Sequence, residues 1–581
     1  MKLQPRIIPQ QVALESCADL SPLLQRICAA RGIVNAKDLE FSLKQLHPVS
    51  ALLHIDQAAE LLMNAIKQQT VTLIVGDFDA DGATATALAY KALRLMGHRN
   101  VNYLVPNRFE YGYGLTAEIV AQARQFSPGL IITVDNGISS IEGVKAAKDA
   151  GIQVLVTDHH LPGKYLPEAD VIVNPNLPGD DFPSKALAGV GVIFYVMLAL
   201  KRRLQETDYF SRQGIVPPNL LNLLDLVALG TVADVVPLDR NNRVLVEQGL
   251  RRVRAGQCSP GILALFEVAG RNASRAVAAD FGFVCGPRLN AAGRLDDMSL
   301  GIECLLSESL DEAREKAVAL DDLNKERRAI ENTMKAEALQ ALQALELDSK
   351  KQLPRVFCLY HESWHQGVVG ILAARIKEKY HRPVIAFAPA DGAQENTEIK
   401  GSARSIPGIH MRDLLDEVAT QNPGLLTKFG GHAMAAGLTL QASQLKAFRD
   451  AINDIASRFD KEVFHEIHHT DGELADEDFN LETAEALRSL IPWGQHCPPP
   501  VFDGKFIIKQ KHLLKETHLR LHLQPSGTIS TNSIPAIAFN IDPNQWPDIN
   551  EEIHILYRFE VNEYQGALMP QIMIEKLLEC M

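Results

Sequence analysis

The stretch Leu73-Ile74-Val75-Gly76-Asp77-Phe78-Asp79-Ala80-Asp81-Gly82 decides how the rest of the chain is read. An apolar run leads straight into three carboxylates at alternate positions. In an extended chain, residues i, i+2 and i+4 project to one side, so Asp77, Asp79 and Asp81 are expected to converge at the C-terminal end of a strand. Gly82 then lets the chain turn, and Ala83 to Leu95 continues as a helix stopped by Gly97. Carboxylates this close repel; one pair ~4 Å apart costs about 4 kcal/mol at an effective dielectric of ~20. A divalent cation is the simplest compensation, because hard carboxylate oxygens suit Mg²⁺ or Mn²⁺. The bland alternative is a solvated acidic turn.

From Val71 onward, short β-rich apolar runs alternate with helical patterns, the signature of βαβ units and a parallel sheet in an α/β protein. Strand candidates are Val71–Val75, Val101–Val105, Leu130–Val134, Val154–Thr157 and Val171–Val173. Ligands gather beyond the carboxyl ends of such strands. Asp135 follows the third strand, Asp158-His159-His160 follows the fourth, and Asp234 lies in Leu229-Gly230-Thr231-Val232-Ala233-Asp234. Taken singly, Asp135-Asn136-Gly137 reads as a turn, the histidine pair as exposed, and Asp234 as a helix cap. A shared position at one sheet edge points instead to a two-metal hydrolase site.

Composition bounds the partners. The 581 residues suffice for two to four domains, and 46% hydrophobic with 22% charged residues fits a globular protein. The formal charge of −13 argues against a simple nucleic-acid-binding domain, so any such binding needs local basic patches. The 8 cysteines are scattered, without a C-x-x-C pair, which favours reduced thiols, a cytoplasmic protein and no zinc site. No signal peptide is expected, and the apolar run Val190–Leu200 is too short to span a bilayer and reads as a buried helix.

Residues 1–69 read as amphipathic helices without chemistry, for example Ser21–Ala30 and Ile55–Lys67. Residues 240–345 read as mostly helical, with Ser309–Leu345 as one long connecting helix or, as the bland alternative, a coiled-coil partner helix. Pro354 restarts β patterning at Arg355–Tyr360, Val384–Ala388 and Lys400–Ser405, a part that holds His365, Ser402, Arg404 and Gly430-Gly431-His432. After Pro498-Pro499-Pro500, short alternating runs suggest a small barrel. Lys505, Lys509, Lys511, Lys515, His518 and Arg520 give it local basicity, with Phe502, Phe506 and Phe539 as stacking faces or core.

Asp158-His159-His160 is the name-giving triplet of the DHH phosphoesterase superfamily. Together with Asp77-Phe78-Asp79-Ala80-Asp81-Gly82, Gly286-Pro287-Arg288-Leu289-Asn290-Ala291-Ala292-Gly293-Arg294, Trp364-His365-Gln366-Gly367 and Gly430-Gly431-His432, it makes the sequence resemble one branch of that superfamily, the bacterial single-strand-specific 5′→3′ DNA exonucleases. The resemblance runs from about Ile55 to the C-terminus, with no departure at any motif position. It implies an N-terminal helical segment (1–69), a DHH catalytic domain (70–240), a helical connector (241–350), a DHH-associated domain facing the metals across a cleft (351–468) and a C-terminal OB-fold (469–581). It implies two Mn²⁺ or Mg²⁺ ions held by Asp77, Asp79, Asp81, Asp135, His159 and Asp234, with Asp135 bridging. His160 is then phosphate-facing or supports a ligand, and Asp158 orients an imidazole. The implied DNA contacts are Arg108, Arg288, Asn290, Arg294, His365, Ser402, Arg404, Gly430, Gly431 and His432, with Arg108, Ser402 and Arg404 as a 5′-phosphate pocket. The implied role is in recombination and DNA repair, with single-stranded-DNA-binding protein and a RecQ-type helicase as partners. Two alternatives stand beside it: a DHH phosphodiesterase for short oligonucleotides or cyclic dinucleotides, and a replication scaffold without activity.

Overall fold

The structure is a computed structural model that describes residues 2–8, 20–106, 114–346, 353–390, 398–527, 533–564 and 566–580. It divides into two compact units: residues 319–468 with 291–297 and 1–2, and the remainder, 3–290 with 298–318 and 469–581.

In the larger unit, two early helices, α1 (Pro22–Ala29) and α2 (Ile55–Gln68), precede a five-stranded parallel sheet. Its strands are β1 (Thr72–Gly76), β2 (Val101–Leu104), β3 (Leu130–Val134), β4 (Gln153–Thr157) and β5 (Val171–Val173), in the order β2-β1-β3-β4-β5. All neighbours pair in parallel, with Thr72 opposite both Val101 and Leu130. Strands β1 and β3 are buried along their whole length, as their unbroken Val, Ile and Leu runs require of a sheet covered on both faces. The strand order reverses between β1 and β3. In open parallel sheets that reversal leaves a crevice at the carboxyl ends, where ligands bind.

The acidic stretch departs from the extended reading. β1 ends at Gly76, and helix α3 (Ala80–Leu95) already begins at Ala80, with the Asp79 side chain capping it through the Gly82 amide at 3.0 Å. Asp81 therefore sits in the first turn of a helix and not on an alternating strand. Gly82 serves close approach rather than a turn: a Cβ there would stand 2.4 Å from the Asp77 carbonyl oxygen. Helix α4 (Gly189–Glu206) is the apolar run expected to be buried, and helix α5 (Leu224–Ala233) ends at Asp234. Asp234 thus stands at a helix C-cap, not at a strand end.

A five-residue π-helical turn (Phe281–Cys285) leads into α6 (Gly286–Leu295), and the 37-residue helix α7 (Leu310–Glu346) continues the chain. The smaller unit holds β6 (Phe357–Tyr360), helix α8 (Val369–Tyr380), β7 (Val384–Pro389), β8 (Glu398–Arg404), β9 (Lys428–Gly431) and β10 (Ala435–Gln441), in one sheet ordered β9-β10-β8-β7-β6. Only β6 and β7 pair in parallel.

Strands β11 (Phe502–Leu514), β12 (His518–Pro525), β13 (Ile534–Ala538), β14 (Glu552–Tyr564) and β15 (Ala567–Cys580) close a barrel in the order β11-β12-β13-β15-β14. Phe502 and Phe506 lie in its core at 0% and 1% exposure, because β11 alternates inward at those positions; only Phe539 of the three aromatics is exposed. The N-terminal segment completes this core, since Leu23 and Ile27 of α1 enter the barrel's apolar cluster. Beside them, Arg31 makes a bidentate pair with Asp471 at 2.7 and 3.0 Å and lies 5.2 Å over the Trp493 ring. Among the described residues no helix is long and apolar enough to cross a membrane.

Candidate metal centre

The strand ends and the cap of α5 bring the expected groups together. Asp77, Asp79 and Asp135 offer oxygens within 4.8 Å of one another; the ligand atoms of Asp81, His159 and Asp234, and of Asp135, His159 and His160, lie equally close. Asp135 and His159 recur in two of these three sets. His159 Nε2 lies 3.1 Å from Asp135 Oδ1 and 3.5 Å from Asp234 Oδ2. Asp135 itself takes a left-handed backbone, φ +62°, which turns its carboxylate off the strand axis.

The scaffold behind these groups is polar and densely hydrogen-bonded. Asp158 is buried and accepts four hydrogen bonds: from the Ile138 amide at 2.9 Å, the His159 and His160 amides at 2.7 and 3.1 Å, and His160 Nδ1 at 2.7 Å. Asn136 donates to the Val75 and Val134 carbonyls, tying the ends of β1 and β3 together. Asn174 and Asn176 donate to the carbonyls of His160 and His159, fixing the backbone of the histidine pair. Sequence reasoning missed these asparagines, although Val173-Asn174-Pro175-Asn176 leaves the fifth strand at the same sheet edge.

Asp81 differs from its neighbours. It is 1% exposed, and its Oδ2 and Oδ1 accept the amides of Gly189 and Val190 at 2.7 and 2.9 Å. These amides open α4. A Cβ on Gly189 would stand 2.5 Å from Asp135 Cβ, so the same helix end presses on the Asp135 side chain. Asn290 Oδ1 accepts the Ala80 amide at 2.8 Å, which places this expected DNA contact at the start of α3.

The carboxylates outnumber the cations around them. Burial, and then the neighbouring Asp81 and Asp79, push the Asp135 and Asp234 carboxyls well above the ordinary carboxylate range. Burial and Asp79 push Asp81 up to about 7. Burial and the charge of His160 bring His159 down to about 4, so its ring is neutral and keeps a lone pair for a ligand. Its Nε2 is buried and makes no hydrogen bond, despite the nearby carboxylates. His160 is the opposite case: burial lowers it, but the hydrogen bond and charge of Asp158 raise it above the usual imidazole value. Oxygen donors with one or two imidazoles, a buried nitrogen without a hydrogen bond and carboxylates that raise one another fit hard divalent ions.

A second constellation lies within the smaller unit. Arg404 Nη1 donates to Ser402 Oγ at 3.1 Å and to the Ala403 carbonyl at 2.8 Å. A Cβ on Gly370, in the first turn of α8, would stand 2.9 Å from Ser402 Oγ and 3.0 Å from Arg404 Nη2. Burial pulls the Arg404 guanidinium below its ordinary pKa, and no carboxylate of the described residues pairs with it. A desolvated cation, a hydroxyl and a helix N-terminus together suit a phosphate.

The other expected contacts are more dispersed. Arg288 is buried and donates to the Val284 carbonyl, Arg294 donates to the Gly367 carbonyl, and His365 Nδ1 accepts the Gly367 amide. Gly430 has open space beside its Cα, Gly431 has φ +145°, and the His432 amide donates to the Ala435 carbonyl. Arg108 lies outside the described residues.

Three family models match the chain. Residues 71–231 match the DHH family N-terminal domain, 353–458 the DHHA1 domain and 470–576 the RecJ OB domain. Over 563 residues the chain is 52% identical to the single-stranded-DNA-specific exonuclease RecJ of Salmonella typhimurium, covering 96% of each chain. The chain belongs to the RecJ family. It is likewise 51% identical to RecJ of Escherichia coli over 96% of each chain. A solved structure of Thermus thermophilus RecJ in complex with Mn²⁺ is similar over 100% of this chain and 79% of that one, with a TM-score of 0.80 at 28% identity. A Mg²⁺ complex of the same RecJ has a TM-score of 0.74 and covers 78% of that chain. Membership in the RecJ family makes the chain a DHH-type nuclease that uses Mn²⁺ or Mg²⁺, and its acid–imidazole cluster offers donors that could hold such ions.

Proposed function

We propose that this chain hydrolyses single-stranded DNA from the 5′ end, releasing 5′-mononucleotides in DNA repair and recombination. The carrying observation is the acid–imidazole cluster at the β1/β3 crevice of a RecJ-family chain, with every ligand type in place. Asp77, Asp79 and Asp135 are assigned to one ion, and Asp135, His159 and Asp234 to the other. Bound there, divalent ions supply charge that offsets the carboxylates and polarises a phosphodiester. The protein's own contribution is placement. Asp158 locks the His160 ring through Nδ1, which leaves the ring's other edge toward an incoming phosphate. Asp81 is assigned to holding the start of α4 beside Asp135 rather than to an ion.

Polarity is assigned to Ser402 and Arg404. A terminal 5′-phosphate carries more charge than an internal linkage, and a guanidinium reads it through paired donors. The barrel's Lys505, Lys509, Lys515 and Arg520 are assigned to backbone contacts with the strand. Lys511 is excluded from that role because its Nζ donates to the Trp546 and Pro547 carbonyls. Partners of the single-stranded-DNA-binding and RecQ-helicase kinds are proposed on the family alone, as is a cytoplasmic setting.

Digestion of 5′-labelled and 3′-labelled single strands with Mn²⁺ tests this reading. Immediate release of labelled mononucleotide from the 5′-labelled strand supports it. Immediate release from the 3′-labelled strand, or equal attack on blunt duplex, refutes it.

A further inference from the structure

Two exposed apolar side chains stand on the elements that lead to Asp234, one next to it in sequence and one on the turn packed against the end of its helix, and the metal centre uses neither. Val235 follows Asp234 directly; it is 62% exposed and its φ is +61°. A β-branched residue in the left-handed region is an outlier, and such strain persists where the surroundings impose it, typically at functional sites. Here the surroundings do impose it: the Asp234 amide still bonds the Gly230 carbonyl, and the Val235 amide bonds the Val232 carbonyl at 3.2 Å.

The second side chain is Phe283, 77% exposed, on the π-helical turn Phe281–Cys285. Single π-turns are rare and recur at functional sites, because the extra residue redirects one side chain. In this turn Phe281, Val284 and Cys285 are buried, so the turn is anchored and Phe283 alone among its large side chains faces outward. The turn packs on the end of α5. A Cβ on Gly282 would stand 3.4 Å from Val232 Cγ1, and one on Gly286 3.1 Å from Ala233 Cβ. Val232 and Ala233 are the residues that lead into Asp234.

We infer that Phe283, supported by Val235, is a stacking platform for one unpaired nucleobase of the substrate strand beside the metal centre. The inference rests on the function proposed above and adds the residue that reads strandedness. One phenyl ring and one valine match a single base; a protein partner needs a patch of roughly 800 Å². Stacking tolerates any base, since every base has a π-face, and in a duplex neighbouring pairs already cover that face. The platform therefore favours single strands without selecting sequence.

The test uses the full-length protein with Mn²⁺ and a 5′-phosphorylated oligodeoxynucleotide, compared with the same strand carrying an abasic 5′-terminal segment. Phe283→Ala should raise KM for the natural strand about tenfold, the usual scale of one lost base–aromatic stack. It should change KM for the abasic strand by less than about twofold, and Phe283→Trp should restore the natural value. A binding arm needs no turnover. In an Asp79→Asn background, 2-aminopurine in the terminal segment should be quenched on binding, and Phe283→Ala should abolish the quenching. Equal effects of Phe283→Ala on natural and abasic strands, or unchanged quenching, overturn the platform. A chain that quenches 2-aminopurine but degrades no strand would refute the proposed function and leave the platform standing.

Discussion

Replacing Asp81 with Ala separates a metal ligand from a residue that holds a helix. Its two oxygens accept the Gly189 and Val190 amides at 2.7 and 2.9 Å. Both amides belong to the first turn of α4, where no intrahelical acceptor exists. Their loss leaves two buried donors unpaired, at about 1–3 kcal/mol each, less whatever entering water recovers. Against this stands the repulsion Asp81 suffers from Asp79, which its removal relieves in the metal-free protein. Bound ions already offset that repulsion, so the relief shrinks when Mn²⁺ is present. We expect Asp81→Ala to cost about 2–4 kcal/mol with saturating Mn²⁺ and distinctly less without it. For a transition of domain size this is a fall of roughly 5–15 °C in Tm. Scanning calorimetry with and without Mn²⁺ measures the difference, and a Mn²⁺ titration should still find two ions. An unchanged Tm with one ion lost would show that Asp81 is a ligand and refute the reasoning.

Four further outcomes are expected. His159→Ala and Asp79→Asn should each lower Mn²⁺-dependent turnover by at least about a hundredfold, while metal-free Tm holds or, for Asp79→Asn, rises as carboxylate repulsion falls; near-normal turnover at saturating metal would contradict the ligand assignment. Arg404→Ala should reduce degradation of 5′-phosphorylated strands far more than of 5′-hydroxyl strands at fixed ionic strength, and equal losses would make Arg404 a general backbone contact. Arg31→Ala should destabilise by about 2–4 kcal/mol, because it removes both charge-assisted bonds to the buried Asp471 carboxylate and leaves it only Arg6 at 3.6 Å and the Val501 amide at 3.0 Å, whereas replacing both partners with apolar residues should cost less; denaturant midpoints compare the two. His98, which shares a 2.8 Å hydrogen bond with Thr72, is lowered to about 4 by burial. Its depressed folded pKa means the unfolded chain binds the proton first, so stability falls as pH drops from about 6.5 toward 4, by up to about 3 kcal/mol. His98→Gln should flatten that part of the stability profile, and an unchanged profile would show that His98 does not carry it.

The parallel sheet, the long helix and the barrel were legible because each leaves a period in the sequence that burial enforces. Val, Ile and Leu runs mark β1 and β3, and alternation marks β11 and β12. The acidic stretch was half legible. Asp-Ala-Asp-Gly satisfies both strand alternation and a helix N-cap followed by its first turn, and the Asp79 cap wins because Gly82 can approach the Asp77 carbonyl. Asp234 was found for its composition but misplaced, since no local period distinguishes a strand end from a helix C-cap. The Phe502 and Phe506 rings could be read either as core or as stacking faces until the register of β11 set their side. What pairs across long separations stayed hidden: Asp81 with Gly189, Asn290 with Ala80, and Gly370 beside Ser402 and Arg404. Those contacts depend on how whole elements pack, and each residue alone is an ordinary member of its type. The strain at Val235 was equally invisible, because a β-branched residue gives no signal of positive φ.

The central claim is that two ions share the Asp135 carboxylate at the β1/β3 crevice. A Mn²⁺ titration followed by electron paramagnetic resonance, with strand hydrolysis measured on the same samples, tests it most directly. The account predicts two ions per chain with a spin-coupled signal, appearing together with activity, and at most one uncoupled ion and no hydrolysis in Asp135→Asn. Full hydrolysis with a single uncoupled ion, or an Asp135→Asn protein that keeps the coupled pair, would contradict it.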